Sequence, residues 1–306
     1  MKKILLVGLG SLGVRYAEGI SKLKNKFSLD ILELDFKKSQ NLIDSKILDP
    51  SVVSTVSLSS LSNNYDLCIV ATPSLQRARV VKSILQHSTV DAWILEKILA
   101  PSIDDLEIIQ TEIGITPAWV NTMRRLTVLY QTINEKLRDN FLSINVVWKD
   151  FSLGCNGIHF IDALSWLSDD NLDSISVISD GGWFKARRKG YKEFNGKIKA
   201  LTKLGSSLTI DNTKPISANQ IIVKQNHDTI LIDETKGFSL NGVWYETGRL
   251  EYQSELTAPM IESIFASGTC NLPTLSESSQ QHRLLLEALA NNKFLFPNGG
   301  RIVPIT

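Results

Sequence analysis

Cysteine is scarce in this chain: Cys68, Cys155 and Cys270 are widely separated and show no paired metal-ligand spacing, and a reducing cytoplasm is the simplest reading. Net charge is nearly absent as well. The 33 Lys and Arg against 32 Asp and Glu leave +1, which supplies no overall pull toward nucleic acid or an acidic membrane. No apolar run approaches the ~20 residues that span a bilayer, and there is no internal repeat, low-complexity tract or disordered tail. Lys2 and Lys3 before an apolar run give the outline of a signal peptide, but glycines break that run. It then continues into Arg15 and Glu18 without a small-residue cleavage site. These absences lead to the expectation of a cytoplasmic protein with no metal, no nucleic acid and no membrane among its partners.

What remains is the material of an ordinary soluble core. At 306 residues and 43% apolar content the chain is long enough for two domains. Its N-terminus reads MKKILLVGLGSLG, an apolar strand running into Gly8, Gly10 and Gly13 at G-x-G-x-x-G spacing, with a helical pattern behind. In that context Gly8 permits the tight turn, Gly10 lets a pyrophosphate approach the backbone and Gly13 lets the helix close on the strand. The N–H groups at the helix start, those of Ser11 and Leu12, then hold phosphates. A second strand, Leu29 to Leu34, ends in acid. Glu33 and Asp35 both fall near the offset at which a carboxylate hydrogen-bonds ribose hydroxyls, and Asp35 is preferred because it ends the apolar alternation. An acid there favours NAD over NADP, while Lys37 and Lys38 keep NADP possible. A third strand runs into Ala71-Thr72-Pro73-Ser74 and a fourth into Glu96-Lys97. Ligands bind at the carboxyl ends of such strands, so these turns are expected to face the nicotinamide half.

Strands and helices alternate to about Val120, which predicts a Rossmann α/β domain over 1–120 with a parallel sheet and helices on both faces. Beyond Asn121 the pattern changes. Helical stretches at Val128 to Arg138 and Gly157 to Leu167 precede a series of strands separated by turn signals such as Gly205-Ser206, Asn226-His227 and Asn241-Gly242. This predicts an α+β domain over 121–306 with an open, mostly antiparallel sheet. It closes with a helix from Ser276, read as the N-cap, to Asn291.

Several motifs in order carry a family resemblance. They are the glycine turn followed by Arg15-Tyr16, Ala71 to Ser74, Glu96-Lys97-Ile98, Gly157-Ile158-His159-Phe160-Ile161-Asp162, and Leu272-Pro273-Thr274 before the last helix. Together they resemble the glucose-fructose oxidoreductase, inositol dehydrogenase and MocA family (Gfo/Idh/MocA) over essentially the whole chain. The resemblance implies hydride transfer between NAD(P) and a secondary alcohol of a sugar or nucleotide-sugar. Gly8, Gly10, Ser11, Leu12, Gly13, Asp35, Ala71, Thr72, Pro73, Glu96 and Lys97 would line the cofactor. Lys97 would stabilise the developing alkoxide and His159 would take the hydroxyl proton, with Asn156 beside it on the substrate. The family commonly has Asp four residues before the His, where this chain has Cys155, and Pro after the Lys, where it has Ile98. Cys155 leaves open two other readings: a dinucleotide-binding protein that serves as a sensor or assembly subunit, and a lyase or glycosidase that uses NAD transiently without net redox change.

Two groups of cations complete the reading. Arg124 and Arg125 either clamp a carboxylate or phosphate of the substrate or form a salt bridge joining the domains. The segment Lys185 to Lys203 has Glu193 as its only acid. It either attracts an anionic nucleotide-sugar, forms the solvated side of a hairpin or guards a sheet edge. By resemblance the open sheet mediates a homodimer or homotetramer, and Trp183, Phe184, Tyr191, Trp244 and Tyr245 are compatible with such an interface.

Overall fold

The structure, a computed structural model, describes residues 1–137, 141–179, 181–215 and 218–306. It divides into two compact units, the first holding residues 1–100, 104–121 and 251–277 and the second 101–103, 122–250 and 278–306.

The first unit begins with β1 (Lys2–Val7), α1 (Ser11–Ile20), β2 (Phe27–Leu32), α2 (Phe36–Asp44) and β3 (Val53–Val56). It continues through β4 (Asn64–Tyr65), β5 (Leu67–Val70), α3 (Ser74–Leu85), β6 (Thr89–Val90), β7 (Trp93–Glu96), α4 (Ile103–Ile113) and β8 (Ala118–Asn121). Six of these strands form one parallel sheet in the order β3-β2-β1-β5-β7-β8, and β4 pairs separately with β6. This is the doubly wound order expected from the sequence, all strands parallel and the strand order changing sense between β1 and β5. The central strands are apolar at successive positions because both faces are buried: every residue from Ile4 to Val7 and from Leu67 to Val70 is in the core. Leu5, Val7, Cys68, Val70, Trp93 and Leu95 point to the face covered by Ala78, Val81 and Ile84 of α3 and by Leu106, Ile109 and Ile113 of α4.

The second unit holds a short 3-10 turn at Met123–Leu126, α5 (Val128–Lys136), β9 (Ser143–Val147) and α6 (Leu153–Leu167). The strands β10 (Leu172–Ser179), β11 (Phe184–Lys185), β12 (Lys192–Glu193), β13 (Gly196–Thr202), β14 (Ser207–Asp211) and β15 (Gln220–Gln225) follow. Then come β16 (Asp228–Asp233), β17 (Gly237–Leu240) and β18 (Val243–Glu246). The helix expected over Val128 to Arg138 ends at Lys136, and Arg138 lies outside the described residues. Eight strands make the open sheet β10-β13-β14-β9-β15-β16-β17-β18, antiparallel throughout except where β9 runs beside β14. α6 lies on this sheet at Gly157, where a Cβ would stand 2.8 Å from Cδ1 of Ile198 on β13.

After β18 the chain returns to the first unit, whereas the division expected at 120/121 keeps 251–277 in the second. The returning element is α7 (Gln253–Ser267), a helix with Pro259 inside it and no clear apolar stripe to announce it. It packs on α1 at Gly19, where a Cβ would stand 2.4 Å from Cβ of Thr257. Trp119 then bridges Thr274, and α8 (Leu275–Ala290) begins. Its cap is Thr274 rather than Ser276. Glu277 accepts from Thr274 N–H at 2.7 Å, and the Thr274 hydroxyl accepts from Glu277 N–H at 3.2 Å, a reciprocal capping box.

The α1–α7 contact is a direct test of this discontinuous unit. Gly19→Ala is expected to destabilise the protein by about 1–3 kcal/mol through overpacking, read from its urea midpoint. An unchanged midpoint would mean that α7 does not close on α1.

Candidate functional site

The glycine turn has the geometry that its spacing predicts. Gly8 has φ +89° and its N–H bonds Leu32 O at 2.9 Å, tying the turn to the end of β2. At Gly13 a Cβ would fall 1.9 Å from Gly8 O, so only glycine lets α1 close on the strand. At Gly10 a Cβ would meet nothing within 4 Å, which leaves room for a ligand against the backbone. No side chain caps α1 and no acid occupies its first turn. The positive end of the helix, with the N–H groups of Ser11 and Leu12, is thus suited to an anion.

The two acids after β2 separate into different roles. Asp35 is the N-cap of α2, and its side chain accepts from Lys37 N–H at 3.2 Å. Glu33 instead reaches the glycine turn, its carboxylate accepting from Leu9 N–H at 2.6 Å and from Asp35 N–H at 3.1 Å, with Lys38 3.4 Å away. Partial burial opposes its ionisation, but these donors and Lys38 outweigh it and hold the carboxyl below its ordinary value.

Ala71-Thr72-Pro73 and Glu96-Lys97 lie at the carboxyl ends of the paired strands β5 and β7, beside the Gly8 turn. A residue that pattern reasoning passes over links them. Arg77 on α3 is 1% exposed, and its guanidinium donates to the carbonyls of Thr72, Ile98 and Leu99. One buried fork thereby joins both turns, and Lys97 stands immediately before the carbonyls it holds. The peptide between Lys97 and Ile98 is cis. Glu96 points the other way, into the core. It accepts from the Tyr16 hydroxyl at 2.5 Å and from the Asn121 amide at 2.7 Å, and Asn121 also donates to Gln253 at 2.7 Å. Burial raises the Glu96 carboxyl above its ordinary value, against the lowering influence of Tyr16, Asn121, Lys97 and Arg77. Glu96 therefore binds α1, β7, β8 and α7 together.

In the second unit, α6 presents Cys155, His159 and Asp162 at i, i+4 and i+7, with Asn156 one turn before His159. Both ends of this face are fixed. Glu193 of β12 accepts from Gly154 N–H at 2.8 Å and Cys155 N–H at 3.0 Å, so a carboxylate of the chain itself occupies the positive end of the helix. Asp162 is fully buried and receives both arms of Arg125 at 2.6 and 3.0 Å, the Thr122 hydroxyl at 2.6 Å and the Gln281 amide at 3.1 Å. Arg124 likewise pairs with Glu234 at 2.9 and 3.2 Å and stacks over Phe160. Both arginines expected as a substrate clamp are thus engaged by internal carboxylates, and these ion pairs lie within the second unit. Freeing either fork would leave a buried charge uncompensated, a cost of about 3–5 kcal/mol.

The residues present fit a dinucleotide: an uncapped helix start, open space at Gly10, and a carboxylate at the end of β2. No family model and no curated protein matches the chain. Solved structures do share its fold. The myo-inositol dehydrogenase of Lactobacillus casei in complex with NAD(H) and myo-inositol is 14% identical, with a TM-score of 0.69 over 94% of this chain and 93% of that one. The WlbA dehydrogenase of Bordetella pertussis, in complex with NADH and UDP-GlcNAcA, is 16% identical, with a TM-score of 0.69 over 94% and 95%. The super-repressor mutant of Gal80p from Saccharomyces cerevisiae is 14% identical, with a TM-score of 0.74 over 94% of each chain. The fold is the one that the family resemblance implies, and it is shared by dehydrogenases and a repressor.

Glu96→Gln keeps an oxygen for Tyr16 and Asn121, whereas Glu96→Leu orphans both donors and is expected to cost about 1–3 kcal/mol for each. Because the folded carboxyl binds its proton more tightly than the unfolded one, the native protein should lose stability relative to Glu96→Gln as pH rises above about 4.5. Urea denaturation of the two proteins across pH reads this difference, and parallel curves would contradict it.

Proposed function

We propose that the chain is an NAD(P)-dependent oxidoreductase of the Gfo/Idh/MocA type, moving a hydride between nicotinamide and a secondary alcohol of a sugar or nucleotide-sugar. The observation that carries this reading is the glycine turn, open at Gly10 and bordered by the Glu33 carboxylate. The dinucleotide supplies the redox chemistry when bound, and the chain's residues orient it and manage the proton. Ser11 and Leu12 N–H groups hold the pyrophosphate. Glu33, already on the glycine turn, takes the ribose hydroxyls in place of Asp35, which is occupied in capping α2. This carboxylate favours NAD over a 2′-phosphorylated cofactor. Arg77 fixes the Thr72 and Ile98 turns against which the nicotinamide half rests.

Lys97 and His159 divide the chemistry. A fixed ammonium hydrogen-bonds the reacting hydroxyl and stabilises the charge that grows on its oxygen, and neutral His159 accepts the proton. Asn156 hydrogen-bonds the substrate, while Arg124 and Arg125 position α6 from beneath. With Cys155 in place of an acid, His159 works without a carboxylate from that position. The three cysteines form no disulfide with one another, in keeping with a reducing cytoplasm, and the open sheet would mediate a homodimer or homotetramer. The combination of Cys155 with a repressor among the fold neighbours also supports a second reading, a dinucleotide sensor without turnover.

Steady reduction of NAD with a sugar or nucleotide-sugar separates these readings, since a sensor binds without turnover. Lys97→Ala and His159→Ala are each expected to lower kcat by about 100-fold or more with dinucleotide affinity retained; full activity in either variant would remove that residue from the chemistry. Glu33→Ala is expected to weaken NADH binding while Asp35→Ala leaves it near that of the native chain, and the reverse order would return the ribose to Asp35. Arg77→Met should weaken NADH more than ADP-ribose, and an equal loss for both would limit Arg77 to a packing role.

A further inference from the structure

The edge of the parallel sheet opposite the glycine turn carries a cleft of its own. It has a volume of about 160 Å³ and lies at the amino ends of β1, β5, β7 and β8, against the end of α7. All of its lining residues belong to the first unit. A cavity of about 150 Å³ is enough to hold benzene, so the space is of ligand size. Its floor is built before any ligand arrives. Asp66 N–H bonds Lys3 O, Asp91 N–H bonds Tyr65 O and Trp93 N–H bonds Pro117 O, each at 2.9 Å.

Three features of the lining favour the same charge. Asp66 and Asp91 are both on it. Gly268 on its wall ends α7 with φ +73°, and no basic side chain of the last turn compensates the negative end of that helix. Phe265 offers its ring face: the Lys2 ammonium stands 5.2 Å from the ring centroid while it pairs with Asp66 at 2.7 Å. The chain's own ammonium, on its apolar stem, thus shows what chemistry the cleft accepts. Asp91 has no such counterpart. It makes no ion pair among the described residues, and the Asn64 amide reaches it only at 3.4 Å.

Other ligand classes fit less well. An anion would meet Asp91 and find the Lys2 ammonium already matched by Asp66. A divalent metal wants about six oxygen ligands, whereas one of the two carboxylates here is engaged and Pro117, Trp119 and Phe265 make up much of the wall. Among the described residues no group of three or more His, Cys, Asp or Glu is placed to hold a metal ion. A neutral apolar molecule would leave the Asp91 charge unused. We propose that this cleft binds a small organic ammonium compound, its charge at Asp91 and its hydrocarbon against Pro117, Trp119 and Phe265. It lies at the far edge of the sheet from the turn assigned to the dinucleotide, so the two sites are separate.

The test is a protein-detected NMR titration of the full chain with butylamine, using butanol and butyrate as neutral and anionic controls of like size. Butylamine is expected to give saturable shifts of the Trp119 indole N–H, assigned by its loss in Trp119→Phe, and of the Gly268 N–H. Half-saturation in about the millimolar range suits so small a ligand, and salt should weaken it. Asp91→Asn should lower the affinity by about fivefold and Phe265→Leu by about two- to fivefold, with urea midpoints reporting that each variant is folded. Lys2→Met should raise the affinity, because the chain's own ammonium then leaves Asp66 and the Phe265 ring. Butanol or butyrate binding as tightly as butylamine, the absence of saturable shifts, unchanged affinity in Asp91→Asn, or weaker binding in Lys2→Met would overturn the proposal. None of these outcomes depends on whether the chain binds a dinucleotide.

Discussion

The closure of α1 on β1 is the constraint on which the first unit depends. With Gly8 O standing where a Cβ of Gly13 would have to go, the helix can leave the strand in only one direction. That direction leaves its uncapped N-terminus at the carboxyl edge of the sheet and brings the Tyr16 hydroxyl onto Glu96. It also sets Gly19 against α7, which completes the unit from more than 230 residues away in sequence. An uncapped helix start, a buried polar network and a long-range helix contact thus follow from one turn.

Buried charge does the positioning in both units. Arg77 donates from its guanidinium to the carbonyls of Thr72, Ile98 and Leu99, and a planar fork suits three acceptors on two turns better than a single ammonium would. In the second unit, Arg125 with Asp162 and Arg124 with Glu234 hold the chain entering that unit to α6 and to β16's end. Such pairs add little net stability, but breaking one is expensive, so they fix geometry rather than strengthen the fold. The helix bearing His159 is held by Glu193 at its start and by Asp162 in its third turn.

Local sequence carried the architecture well where the pattern was local. The glycine turn, the turns after the third and fourth strands and the hairpin turns each rest on a few consecutive residues whose sterics leave little choice. α2 and β3 lacked that clarity, and α7 was hidden because Pro259 interrupts a helix without a clear apolar stripe. The candidate site was legible in part. Counting residues could not distinguish Glu33 from Asp35: Leu34 is 94% exposed, so the apolar alternation had already ended and Asp35 was free to cap a helix. Arg77 left no trace because its partners are carbonyls, which every residue has. For Arg124 the decisive partner, Glu234, lies 110 positions away.

The central claim is that the glycine turn holds a nicotinamide dinucleotide. Calorimetric titration of the purified chain with NAD+, NADH, NADP+ and NADPH tests it most directly, because it requires no substrate. The account predicts selective binding, strongest for the NAD pair, with Glu33 disfavouring the 2′-phosphate. Absence of heat and of competition for all four, in protein shown to be folded, would contradict the claim and leave the turn as a structural element alone.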